Sequence, residues 1–275
     1  MSQALEDQQI ALIGGGVMGE AIIRGLLKVG ALPPEQIIVS EPVAERRQAL
    51  REALGVRCTG DNVEAVQDAN IVVFAVKPQV LAAVLDGLRG RVSANSLVIS
   101  IVAGVPIARY SEALNARAIV RAIPNTPGQI GQGVSLWTDT PETTDVQREQ
   151  ARTLLAALGV EVHGHNEDEV DMATAISGSG PAYVFLFIEA LTDAGVQMGL
   201  SREVASTLAL QTVLGSAAYA REAAVHPAIL RNRVTSPGGT TAAALYELEA
   251  GGFRATLAQA ALAAYRQAQR LGGVQ

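Results

Sequence analysis

A short apolar run, Ile10–Ile13, ends in Gly14-Gly15-Gly16, and the spacing Gly14-x-Gly16-x-x-Gly19 leads straight into a helical pattern over residues 17–29. No other feature limits the fold as much. In a strand–turn–helix unit of this kind the first glycine permits the tight turn. The second lets backbone approach a pyrophosphate, and the third lets the helix close on the strand. The helix start then directs free N–H groups at a bound anion. The pattern is short and the chain has 27 glycines, so context must carry the reading.

The context is an alternation of strand and helix patterns through the first 165 residues. Short β-branched or apolar runs lie at residues 37–39, 71–76, 97–102, 118–123 and 160–162. Helical patterns at Ala44–Leu54 and residues 147–158 lie among them. The run Ile71-Val72-Val73-Phe74-Ala75-Val76 has no polar alternation, as expected of a strand covered on both faces. Such units join through right-handed crossovers into a mostly parallel sheet. The expected fold is α/β: an N-terminal Rossmann-type dinucleotide-binding domain over residues 1–165, then an all-α domain over residues 166–275.

That second half reads as alanine-rich helices at residues 181–198, 202–222 and 241–249 and at Phe253–Leu271. Between Ala173 and Ala250 only ten residues are charged, and Tyr183 to Leu191 is apolar almost all round. A helix of that kind needs cover on several sides. A helical unit of about 110 residues buries too little of its own surface to supply it. We therefore expect a homodimer through this half, against the alternative that it packs only on the first.

Composition narrows the functions. With 49% hydrophobic and 17% charged residues the chain is not disordered. A net charge of −6 argues against nucleic acid or an anionic membrane as the main partner. One cysteine, Cys58, excludes an internal disulfide framework. Three histidines, with His163 and His165 read as loop residues, give no metal site. The first residues carry acids where a signal peptide needs bases. The longest uncharged runs contain Ser, Asn, Gly and Pro and fall short of a spanning helix. A soluble, cytoplasmic protein is expected.

Cofactor choice depends on the end of the second strand. Glu41 could accept from a ribose 2′-hydroxyl, favouring NADH, and Glu41→Ala would then shift preference towards NADPH. Ser40 with Arg46 and Arg47 could hold a 2′-phosphate, favouring NADPH, unless the arginines form only a solvated helix face. Both readings stay open.

Four Gly- and Pro-rich stretches stand out: Ala75-Val76-Lys77-Pro78-Gln79, Arg121-Ala122-Ile123-Pro124-Asn125-Thr126-Pro127, Ser177-Gly178-Ser179-Gly180-Pro181-Ala182-Tyr183 and Ser236-Pro237-Gly238-Gly239-Thr240-Thr241. Singly, each is ordinary turn and cap chemistry. The last offers successive N–H groups at a helix start, a seat for a carboxylate. In this order, with the glycine fingerprint and the stretch from Ser100 to Val105, they resemble pyrroline-5-carboxylate reductases over nearly the whole chain.

The resemblance implies roles. A dinucleotide, NADPH with NADH as a competitor, would lie over Gly14, Gly16, Val17, Met18 and Gly19. Ser40 and Asn62 would face its adenosine end. Ala75, Val76, Lys77 and Pro78 would run beside it, with Ala103 and Gly104 near the nicotinamide. The substrate, 1-pyrroline-5-carboxylate, would sit on Ser236, Gly238, Gly239, Thr240 and Thr241. The N–H groups of Gly239, Thr240 and Thr241 would hold its carboxylate and the Thr241 hydroxyl, the catalytic group, would reach the ring nitrogen. Glu222 reads as a solvated helix residue. Similar enzymes form dimers through the helical half and often assemble further into decamers.

Two other readings compete. β-Hydroxyacid dehydrogenases share the glycine start and an all-helical second half, but use a lysine from that half. The two lysines here, Lys28 and Lys77, both lie in the first. A protonated imine is already electrophilic and needs less acid catalysis than a ketone. A nucleotide sensor without turnover would need no carboxylate seat.

Overall fold

The structure, a computed structural model, describes residues 3–272. The elements before the helical region are β1 (Ile10–Ile13), α1 (Val17–Lys28), β2 (Ile37–Ser40), α2 (Ala44–Leu54), β3 (Arg57–Thr59), α3 (Asn62–Val66), β4 (Ile71–Phe74), α4 (Pro78–Gly87), β5 (Leu97–Ser100), α5 (Ile107–Leu114), β6 (Ile119–Ile123), β7 (Gly133–Asp139), α6 (Asp145–Ala156), β8 (Gly159–His163) and α7 (Glu167–Ala173). The strands form one sheet in the order β3-β2-β1-β4-β5-β6-β7-β8. Neighbours are parallel except β6 and β7.

The uninterrupted apolar strands have a simple cause. Side chains alternate across a sheet, and both faces here are covered. Ile10 and Leu12 of β1, Ile71 and Val73 of β4, and Leu97 and Ile99 of β5 point into one core. Ala11, Ile13, Val72, Phe74 and Val98 point into the other. Helix α1 covers the first face with Ala21, Ile22, Ile23 and Leu26, all buried. Helix α6 starts at a reciprocal cap, in which Thr144 Oγ1 accepts from the Gln147 amide and Gln147 Oε1 accepts from the Thr144 amide.

Two strands were not expected from the sequence. β3 has three residues, and its outer ones are polar. β7 inverts the usual pattern: Gly133, Ser135, Trp137 and Thr138 are its buried residues, while Val134 and Leu136 are only half-buried. His163 ends β8, where its ring stacks on Trp137 at 4.1 Å and its Nε2 lies 2.7 Å from Asp139 Oδ1.

The chain divides into two compact units, Met1–Ser179 with Ala264–Gln275, and Gly180–Ala263. This differs from the expected division at 165/166. The reason is visible in α7: buried Arg121 of β6 pairs with its Asp171 and Glu167, and Glu167 Oε2 also accepts from the Ile107 amide. Those bonds tie α7 to the sheet. A π-helical turn, Thr174–Gly178, follows α7.

The second unit holds α8 (Gly180–Gln197), α9 (Arg202–Ala223), α10 (Pro227–Arg233), α11 (Thr240–Ala250) and the start of α12 (Phe253–Leu271). The end of α12 belongs to the first unit, where Tyr265 Oη donates to Asp168 Oδ1 at 2.5 Å. Ser201 caps α9 through the Val204 amide, and His226 caps α10 by accepting from the Ala228 amide on Nδ1. Of α8, only Thr192 and Gly195 are buried; Phe185 and Leu186 are 62% and 65% exposed. Contrary to the sequence expectation, the continuous helical stretch Glu167–Gln197 is long and apolar enough to cross a membrane by length and composition alone.

Gly159 adopts φ +139°, and an added Cβ would fall on the Gly133 carbonyl oxygen. Gly159→Ala should cost on the order of 3 kcal/mol in urea unfolding. Gly30, at φ +63° with open space around it, provides the contrast, since Gly30→Ala should cost about 1–2 kcal/mol for backbone conformation alone. Equal losses would contradict the close β7–β8 approach.

Candidate active site

The carboxyl ends of four strands lie level. Ile13 pairs with both Ser40 and Phe74, and Phe74 pairs with Ser100. The ladder runs one step further: the Gly14 amide donates to Ser40 O at 2.9 Å, Ala75 to Ile13 O at 2.8 Å and Ile101 to Phe74 O at 3.0 Å. Chain order reverses between β1 and β4, so the following loops part and leave a crevice at this edge. Gly14, Gly16, Val17, Met18, Gly19, Ser40, Ala75, Val76, Lys77, Pro78, Ala103 and Gly104 all follow or end these strands, on the first unit.

The three fingerprint glycines have distinct surroundings. Gly14 has φ +107°, and a Cβ there would lie 2.8 Å from Ala75 O. At Gly19 a Cβ would fall on Gly14 O and lie 2.8 Å from Leu12 Cδ2. Gly14 is required by the close approach of the chain that follows β4, and Gly19 by the packing of α1 on β1. Gly16 is different. It is the exposed N-cap of α1 with no side-chain cap, and a Cβ would meet nothing within 4 Å. The first bond inside α1 comes from Glu20 N–H to Gly16 O at 2.9 Å, so the amides of Val17, Met18 and Gly19 have no acceptor within the helix. An uncapped helix start beside open space fits the pyrophosphate of a dinucleotide.

Ser40 is buried, and its Oγ donates to Asn62 Oδ1 at 2.6 Å. That bond brings the two expected adenosine-end residues together. Lys77 is the exposed N-cap of α4, with Pro78 in the first turn. Ala103 packs half-buried against Ile123, Val170 and Ala173. Gly104, at φ +74°, is buried, and its missing Cβ would lie 2.8 Å from Leu271 Cβ of α12. Packing alone therefore demands a glycine at 104. A cavity of about 340 Å³ lies beside it, lined by Pro78, Leu81, Pro106 and Arg109 among others.

Of the side chains weighed for cofactor choice, Glu41, Arg46 and Arg47 are engaged with backbone. Arg47 Nη1 donates to the carbonyls of Glu41 and Pro42 at 2.7 and 2.8 Å, while Glu41 and Arg46 both bind Gly15. Sequence reasoning gave the middle glycine no role. Nor did it single out Arg121 and Asp171. Burial raises the Asp171 carboxyl above its ordinary range, Arg121 opposes this, and Glu167 and Asp168 add to it. Two buried charges of opposite sign were not visible as a pair fifty residues apart. Among the described residues no group of His, Cys, Asp and Glu could hold a metal ion.

On the second unit, residues 236–239 form a turn closed by Gly239 N–H to Ser236 O at 3.0 Å. Gly238 has φ +70° and so needs glycine's freedom, whereas a Cβ on Gly239 would fall on Ser236 Oγ and displace that hydroxyl. The next bond in α11 is from the Ala243 amide to Gly239 O. The amides without an acceptor inside the helix are thus those of Thr240, Thr241 and Ala242, with no side-chain cap at Gly239. Of the amides expected to be free at Gly239, Thr240 and Thr241, that of Gly239 is taken by the turn. Thr241 is half-buried.

Residues 167–271 match a family model described as pyrroline-5-carboxylate reductase dimerisation, and residues 9–104 match one described as NADP oxidoreductase, coenzyme F420-dependent. The chain is 46% identical to the pyrroline-5-carboxylate reductase of Synechocystis, with 96% of this chain and 98% of that protein aligned. It is 44% identical to the enzyme of the same name from Pseudomonas aeruginosa, over 96% of each. The chain belongs to the pyrroline-5-carboxylate reductase family. Among solved structures it matches the pyrroline-5-carboxylate reductase of Coxiella burnetii at TM-score 0.89 and 37% identity, covering 96% of this chain and 98% of that one. The Plasmodium falciparum relative, solved with NADP bound, matches at TM-score 0.88 and 32% identity, over 97% and 99%. The match to a dimerisation domain accounts for the exposed apolar faces of α8 and α9, which an oligomer covers.

Gly16→Ala separates fold from function. The open space around Gly16 means the substitution should cost at most about 1 kcal/mol in urea unfolding, the loss at a helix cap. Reduced-dinucleotide binding, followed by nicotinamide fluorescence, should weaken about tenfold or more because the methyl occupies the pyrophosphate seat. Unchanged binding would place the pyrophosphate elsewhere.

Proposed function

We propose that this chain reduces 1-pyrroline-5-carboxylate to proline, the last step of proline biosynthesis, using NADPH and, less well, NADH. The observation that carries this reading is the near-full-length similarity to pyrroline-5-carboxylate reductases, and an uncapped helix start on each unit supports it. An uncapped helix start at Gly16 suits a pyrophosphate, and another at Thr240 suits a small carboxylate. A nucleotide sensor has no use for the second. The lysine distribution weighs against a hydroxyacid dehydrogenase, since neither Lys28 nor Lys77 lies in the helical unit.

The cofactor supplies a hydride for the C=N carbon. This chain's residues do the positioning. Val17, Met18 and Gly19 donate amides to the pyrophosphate, Ser40 and Asn62 bound the adenosine end, and Ala75–Pro78 run beside the dinucleotide, with Ala103 and Gly104 towards its nicotinamide. Thr240 and Thr241, with Ala242 in the same turn, donate amides to the substrate carboxylate. Ser236, Gly238 and Gly239 shape that turn. The Thr241 hydroxyl faces the ring nitrogen and stabilises it as its charge changes, which orients the imine; no alkoxide forms that would need a proton. The protein acts as a homodimer through its helical unit, a reading that the match to a dimerisation domain supports. On this reading Glu167–Gln197 is an interface helix and not a membrane span.

Turnover is followed by loss of reduced-nicotinamide absorbance with 1-pyrroline-5-carboxylate and either cofactor. Thr241→Ala should lower kcat about 10- to 100-fold, the worth of one hydrogen bond to a charged group, and leave cofactor affinity within about twofold. Thr241→Ser, which keeps the hydroxyl, should retain most activity. Full activity in Thr241→Ala would remove the assigned contact at the ring nitrogen.

A further inference from the structure

The middle glycine of the fingerprint is held from both sides by side chains of opposite charge. Glu41 Oε2 accepts the Gly15 amide at 3.1 Å, and its Oε1 accepts the Val43 amide at 3.1 Å. Arg46 Nε donates to the Gly15 carbonyl at 2.7 Å. The same guanidinium pairs through Nη2 with Glu20 of α1, which also pairs with Arg24. Burial would push the Glu20 carboxyl up, but Arg46 and Arg24 outweigh it and hold it below its ordinary range. Gly15 itself is buried, and a Cβ on it would lie 2.7 Å from Leu50 Cδ1. The peptide therefore has little room to shift.

We infer that Glu41 and Arg46 are positioning residues that clamp the Gly15 peptide and so set the glycine loop for the pyrophosphate of either cofactor, rather than selecting between NADPH and NADH. The physical basis is what their release would leave behind. Turning Glu41 out to a ribose 2′-hydroxyl strips the buried Gly15 amide of its acceptor. Turning Arg46 out to a 2′-phosphate strips the Gly15 carbonyl and leaves Glu20 with only Arg24. An unmatched buried polar group costs more than an exposed contact returns. The Arg46 charge is matched by Glu20, and both Glu41 oxygens are occupied by amides, which leaves neither side chain free to set a preference. Glu41 thus departs from the ribose role its position at the end of β2 suggests.

The test uses the full chain and two kinds of readout. The kinetic one rests on the reductase reading; amide hydrogen exchange at Gly15 without cofactor does not. In Glu41→Ala, exchange at Gly15 should accelerate about tenfold or more, as for loss of a hydrogen bond to a charged group, and in Arg46→Met, which frees the neighbouring carbonyl, it should accelerate by a smaller factor. KM for NADPH and for NADH should rise together, with their ratio within about twofold of the wild type and kcat little changed. Glu41→Gln keeps one acceptor oxygen and should fall between Ala and the wild type in exchange. A tenfold change in the cofactor ratio with Gly15 exchange unchanged would overturn the clamp and return Glu41 to reading the ribose. If the wild type turns over neither cofactor, the reductase reading fails, while unaltered Gly15 exchange in both variants would still sink the clamp on its own.

Discussion

The cofactor edge depends on how closely three stretches of backbone approach one another. Gly14 turns with positive φ against Ala75 O, and Gly19 seats α1 directly on the Gly14 carbonyl. A side chain at Gly19 would push α1 off β1, and one at Gly14 would drive the turn away from the chain after β4. The helix start would then no longer point along the crevice, and its free amides would lose their common direction. Glu41 and Arg46 act on the same stretch from the other side. They fix the two peptide groups on either side of the Gly15 Cα, between those close approaches.

The second anion seat follows a similar plan with different parts. A turn ends in two glycines, one with positive φ and one whose missing Cβ makes room for Ser236 Oγ. The turn occupies its own last amide and presents the next three. Thr241 stands in that first helical turn, and on the proposed reading its hydroxyl serves as a donor and acceptor that does not titrate. Reduction of an already cationic imine makes that sufficient, whereas a ketone would leave an alkoxide needing a proton.

Much of this was legible in residues. The alternation of runs around the fingerprint gave the sheet, since strands buried on both faces read as continuous apolar stretches. The helix boundaries of the second half, and its need for a partner, followed from the same composition that leaves Phe185 and Leu186 exposed on one chain. What failed to show had identifiable causes. β7 buries Ser135 and Thr138 and so carries no apolar period. The 165/166 boundary was placed at a polar turn, but buried Arg121 ties α7 to the sheet through partners 46 and 50 residues away. Glu41 was legible as a residue of consequence, while its direction was not, because the acceptor role depends on where the Gly15 amide points. That the Gly239 amide is not free is likewise a matter of which amide a turn consumes.

The most direct test of the central claim is isotopic. The full chain is given 1-pyrroline-5-carboxylate and NADPH carrying deuterium in the transferable position at nicotinamide C4, and the product is analysed by mass spectrometry. The account requires proline with one deuterium on the ring carbon next to nitrogen that does not bear the carboxylate. Oxidation of NADPH without labelled proline, or no consumption of either NADPH or NADH despite binding, would contradict it.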